Sequence, residues 1–99
     1  MALIDEVKTA LRVSLDDEDI NLQIQSLINA SKEDLIHTAD INADLVEQDE
    51  CPALIKLAII TFVKANWTDD ETVAEKLMRS YDSIKGKLAF SSFYSTYEE

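Results

Sequence analysis

The sequence predicts an all-α fold, a single small bundle of about four helices with a buried central third helix. Three observations lead there. One Gly and one Pro in 99 residues leave few of the residues that tight hairpins require. No segment alternates apolar and polar positions with the period of two shown by half-buried strands. Four segments instead repeat apolar residues every three or four positions, the period of an amphipathic helix. A chain of this length makes one domain able to bury roughly 60–70% of its unfolded surface, and no repeat or linker divides residues 1–99.

The first helix is read from "LIDEVKTALRV", where Leu3, Ile4, Val7 and Leu11 share a face and Asp5 and Glu6 sit where a helix N-terminus favours negative charge. "SLDDED" interrupts it and offers Ser14, Asp16 and Asp17 as N-caps for a second helix. That helix is long, because Ile20, Ile24, Leu27, Ile28, Ser31 and Leu35 keep the helical spacing. Residues 40–50, "DINADLVEQDE", carry five acids without sustained period and read as a loop, with at most one helical turn around Leu45.

The third helix is "CPALIKLAIITFVKANW", residues 51–67, with 12 apolar residues in 17. It is shorter than the roughly 20 apolar residues of a membrane span, Lys56 and Lys64 interrupt it, and Pro52 suits the first turn of a soluble helix. An apolar surface that runs round the helix requires burial on several sides, so Leu57, Ile60 and Phe62 are expected inside. "TDDE" at 68–71 has the form of a capping box, Thr68 with Glu71. A last helix follows, with Val73, Leu77, Tyr81, Ile84 and Leu88 on one face. The end, "FSSFYSTYEE", gathers Phe90, Phe93, Tyr94 and Tyr97 among Ser and Thr, so that residues 90–99 form a candidate aromatic docking tail and these four aromatics the candidate partner-binding residues.

Charge narrows the function. Twenty acids against nine bases give a net charge of −11, which opposes non-specific grip on nucleic acid, since that grip comes from Lys and Arg displacing counterions. Anionic membranes are disfavoured for the same reason. A lone cysteine, Cys51, permits no intrachain disulfide, and "MALIDEVKT" has neither the basic start nor the apolar run of a secretory leader, pointing to the cytoplasm or an intracellular assembly.

Catalytic constellations are hard to find. Glu33 and His37 have the i, i+4 spacing of two metal ligands but no third, which leaves His37 as a solvated residue. Cys51 follows Asp49 and Glu50, neighbours that raise a thiol pKa instead of activating it. The acidic runs lack the Gly and terminal Glu of a calcium loop, and there is no Gly-rich phosphate cradle. "DSI" at 82–84 is the nearest approach to the Asp-Ser-Leu of acyl carrier proteins, but it falls within the last helix with too little chain after it. The expectation is a non-enzyme without metal or cofactor.

The order "LIDEVKTALRV", acidic "DDEDINLQIQSLINASKEDL", then "PALIKLAIITFVKANW" resembles the small head-to-tail connector proteins of tailed phages and prophages, also described as DNA-packaging proteins. The resemblance covers residues 3–67. Two departures stand out: "HTADIN" replaces an aromatic-Thr-Gly turn, and Thr68 instead of Tyr follows Trp67. The resemblance implies a structural virion protein, an α-helical protomer assembling as a homo-oligomeric, dodecameric ring below the portal protein. It also implies contacts with other head-completion or tail proteins, DNA as passing cargo, no membrane partner, synthesis in the bacterial host cytoplasm and a place at the capsid vertex. A ring supplies each subunit with neighbours on two sides, which would cover what is left open on residues 53–67, and an acidic passage would let a duplex slide. Keeping the protein soluble is the plainer use of that charge. Two rival functions remain from sequence: an acidic DNA-mimic inhibitor, and a small helical adaptor or regulator binding one protein through "FSSFYSTY".

Overall fold

The computed structural model describes residues 3–14, 17–48, 51–91 and 94. Among these described residues five helices follow one another: α1 (Leu3–Leu11), α2 (Glu18–Thr38), α3 (Ala43–Val46), α4 (Ala53–Trp67) and α5 (Glu71–Phe90). The expected all-α bundle is therefore present, with the single turn near Leu45 as α3 and the apolar third helix of the sequence as α4. The principal extents are 46 × 29 × 18 Å, a slab about two helices deep given a helix diameter of roughly 10 Å. Helix α4 packs against α5, α2 and α1, while α3 closes over the end of α2.

Local chemistry sets the ends. Asp17, one of the three expected caps, accepts from the N–H groups of Asp19 (2.8 Å) and Ile20 (3.2 Å) to start α2. The cap of α5 is Asp70, which accepts from Thr72 (2.9 Å) and Val73 (3.2 Å), and this corrects the capping box read at Thr68 and Glu71. Thr68 is already the C-cap of α4, its N–H bonded to the Lys64 carbonyl, so its hydroxyl instead accepts from the Asp70 N–H at 3.2 Å. Pro52 stands at the N-cap of α4, one residue before the first turn, and supplies no side-chain hydrogen bond; burial of the apolar residues that follow holds this helix in place.

Two helix ends turn through left-handed residues. At α1, Arg12 has φ 59°, its N–H donates to the Thr9 carbonyl (3.1 Å) and the Val13 N–H to the Lys8 carbonyl (2.9 Å). This is the Schellman pattern, whose left-handed position is usually Gly. At α2, Asp40 has φ 54° and sends Ile41 back to the Leu35 carbonyl at 3.2 Å; short polar Asp is among the residues that tolerate this conformation.

The core is contributed by every element: Val7 from α1, Ile24, Ile28 and Leu35 from α2, Val46 from α3, Ile55, Ala58, Ile59 and Val63 from α4, and Tyr81 and Leu88 from α5. The central helix supplies more of it than any other, as expected. Burial is nevertheless one-sided. Leu57 is 49% exposed, which overturns its expected place inside, and Ile60 and Phe62 are only half-buried. Three neighbours in a slab two helices deep cannot enclose the fourth side of α4.

Polar links join the layers. Lys56 of α4 reaches both carboxylate oxygens of Glu6 on α1, at 3.2 and 3.0 Å. Across the other side, the Tyr81 hydroxyl donates to Asp34 Oδ2 at 2.6 Å, and Lys85 Nζ donates to the same oxygen at 3.0 Å while lying 5.3 Å from the Tyr81 ring centroid. Phe62 packs on Tyr81 with ring centroids 5.2 Å apart and a 57° tilt, so one aromatic cluster pins α5 to both α4 and α2.

Candidate functional site

The open side of α4 carries the positions Ala53, Leu57, Ile60 and Lys64, which recur every three or four residues and so lie along one stripe. Ala53, Leu57 and Lys64 are exposed and Ile60 is half-buried. An apolar stripe left open on the most apolar helix of the chain is the feature that folding of one copy does not explain.

At its C-terminal end the stripe runs into a groove of about 340 Å³ between the end of α1, the end of α4 and the start of α5. Leu11, Trp67, Val73 and Leu77 give it an apolar lining, and Arg12 and Lys64 bring positive charge to it. Val73 is 42% exposed, so the face of α5 on which it was expected to pack is covered only from Leu77 onward. Among the described residues neither Arg12 nor Lys64 forms an ion pair.

The four candidate tail residues do not behave alike. Phe90, at the end of α5, is 95% exposed. Tyr94 is half-buried against the core, its carbonyl accepting from the Asn42 N–H at 2.7 Å and its N–H donating to the Ser91 carbonyl at 3.2 Å. Phe93 and Tyr97 lie outside the described residues. The groove, the stripe of α4 and the stitch from Tyr94 to Asn42 were not recognised in the sequence. A stripe at 53, 57, 60 and 64 is visible there once one asks which α4 face lacks a partner, whereas the groove needs three distant segments to meet.

Among the described residues, Asp34, Tyr81 and Cys51 are shifted from their ordinary values. Burial works to raise the Asp34 carboxyl, but the hydrogen bonds from Tyr81, Lys85 and Thr38 outweigh it and hold the group below its ordinary value. Burial, and then the Asp34 carboxylate it binds, hold the Tyr81 hydroxyl neutral well above the ordinary phenol range, against a smaller opposing pull from Ser31. Cys51 is buried, and burial pushes its thiol up against the attraction of Lys56; the cause is desolvation foremost, while Asp49 and Glu50 lie outside the described residues. Glu33 and His37 are exposed on the outside of α2. Among the described residues no group of three or more His, Cys, Asp or Glu converges as metal ligands, and no helix is long and apolar enough to cross a membrane.

A family model described as phage connector protein matches residues 3–95, extending the resemblance read from residues 3–67 through α5 and on to residue 95. No curated protein and no solved structure matches the chain. With nearly its whole length matched, and with a helical body whose distinctive surfaces are apolar and open, the chain belongs to the family of phage connector proteins, structural components of the phage particle.

Proposed function

We infer that the protein is a head-to-tail connector that closes into a homo-oligomeric ring below the portal protein and lets DNA pass through its centre. The observation that carries this reading is the open Leu57–Ile60–Lys64 stripe of α4. A monomer gains nothing from leaving Leu57 half in water, and each fully buried Leu contributes about 1.5–3 kcal/mol when its surface is removed from water. A second copy laid on the stripe by rotation about a common axis would remove it, and repetition of such a heterologous contact closes a ring. The portal protein and other head-completion or tail proteins are then the partners above and below, the virion neck is the location, and the host cytoplasm is where the chain is made. The net charge of −11 supports a passage that repels phosphate and does not hold the duplex.

Within this reading the chain is one domain, residues 1–99, with residues 90–99 acting as a docking tail. The stitch between Tyr94 and Asn42 supports a division of labour: Tyr94 anchors the root of the tail on its own core, and Phe90 and Tyr97 face a partner, with Phe93 between them. Size-exclusion chromatography with light scattering, followed by electron microscopy of the eluted species, tests the proposal. Closed rings of one stoichiometry are expected on raising the concentration or adding the portal protein. Persistent monomers under both conditions contradict it.

A further inference from the structure

We propose that the groove formed by Leu11, Arg12, Lys64, Trp67, Val73 and Leu77 receives the segment Tyr97-Glu98-Glu99 of a second copy of this chain. The inference rests on the ring reading and names the contact that would link one subunit to the next. Three observations carry it.

The first is charge. In a protein with twenty acids and nine bases, the groove presents Arg12 and Lys64 without ion-pair partners among the described residues. The tail offers an aromatic residue followed directly by two carboxylates. An apolar lining with cations beside it is complementary to that order of groups, the aromatic ring entering the lining and the carboxylates meeting the guanidinium and ammonium.

The second is reach. The groove abuts Val73 and Leu77, near the start of α5, whereas the tail leaves from the far end of the same helix. Leu77 and Phe90 are thirteen residues apart, about 20 Å along a helix rising 1.5 Å per residue. Tyr97 lies three residues beyond the Tyr94 anchor and so has at most about 11 Å of chain. That length of chain is shorter than the helical span between the groove and the end of α5, which favours a neighbour's groove over its own.

The third is Arg12 itself. It occupies the left-handed position of a Schellman turn, φ 59°, where Gly is free of the Cβ penalty. An arginine at a position that glycine would fill without strain sets a guanidinium beside the groove at a cost to the backbone. Arg12→Gly thereby removes the groove's guanidinium without straining the turn.

The experiment uses a fluorescein-labelled peptide of residues 91–99, SSFYSTYEE, titrated by anisotropy into the full chain at concentrations where light scattering shows monomer. Saturable, salt-sensitive binding is expected. It should weaken at least tenfold in Arg12→Gly and in the Arg12→Glu/Lys64→Glu double variant, and stay unchanged in an Arg79→Glu/Lys87→Glu control of equal net charge. A peptide carrying Glu98→Lys and Glu99→Lys should fail on the native chain and bind the double variant. No saturable binding, or equal binding to every variant, overturns the proposal. Ring assembly is scored in parallel, so the two readings separate. Rings that form undiminished in Arg12→Glu/Lys64→Glu remove the groove as the link between subunits and leave the ring. Peptide binding with the expected variant pattern, in a chain that never forms rings, upholds the contact and removes the ring.

Discussion

Removing one oxygen atom from Tyr81 isolates the latch between α2 and α5. Tyr81 is 1% exposed and its hydroxyl donates to Asp34 Oδ2 at 2.6 Å, so Tyr81→Phe keeps the ring, its packing on Phe62 and the apolar burial while deleting one short hydrogen bond to a carboxylate. Hydrogen bonds to charged groups contribute about 1.5–3 kcal/mol. Asp34 keeps Lys85 and Thr38 and its side chain retains 29% of its surface in water, which places the expected loss near the lower end, about 1.5 kcal/mol. The loss should also depend on pH. Asp34 is held below its ordinary value of 3.8, so the stability it contributes is present above that pH and is lost as pH falls through the lower folded-state value. Tyr81→Phe removes one of the bonds responsible, and the gap between native and variant should therefore narrow as pH falls below 3.8 and through the lower folded-state value of the native carboxyl. Urea denaturation at about pH 7 and at the lowest pH where the native chain stays folded measures this, provided that the slope m is unchanged. A loss under about 0.5 kcal/mol at neutral pH, or one of the same size at both pH values, would refute the reasoning.

Three further outcomes are expected. Phe62→Ala should destabilise the monomer by about 2–3 kcal/mol in denaturant melts, less than the ~3–5 kcal/mol of a fully buried Phe, because Phe62 is only half-buried against Tyr81. Leu57→Ser should cost the monomer only about 1 kcal/mol, roughly half of what full burial of a Leu contributes, since Leu57 is 49% exposed, yet abolish ring formation in light scattering. Arg12→Gly should raise stability by about 1 kcal/mol by relieving a non-Gly left-handed residue, a gain readable as a higher urea midpoint alongside the loss of tail-peptide binding.

The helices were legible because their signals are local. Period and caps at Val7, Asp17, Ile24 and Leu35 need only the residues around them, and each stands where the spacing places it. Leu57 was misread because composition shows that α4 is apolar all round but not how many neighbours the chain can place beside it; two layers leave its stripe open. The α5 cap was misplaced by two residues for a related reason. Thr68 matches the pattern, but its backbone already ends α4, a competition that appears only when both helices are present. Of the tail, the aromatic rhythm from Leu88 onward was visible, while the stitch from Tyr94 to Asn42 joins positions fifty-two apart and leaves no trace in spacing. The receiving groove needed α1, α4 and α5 together.

The most direct measurement is electron cryomicroscopy of the full chain mixed with its portal protein. The account predicts one closed ring seated below the portal, with Leu57 and Ile60 of each α4 covered by the adjacent copy and an acidic central passage. A complex in which single copies bind the portal separately, with the α4 stripe still facing solvent, would contradict it.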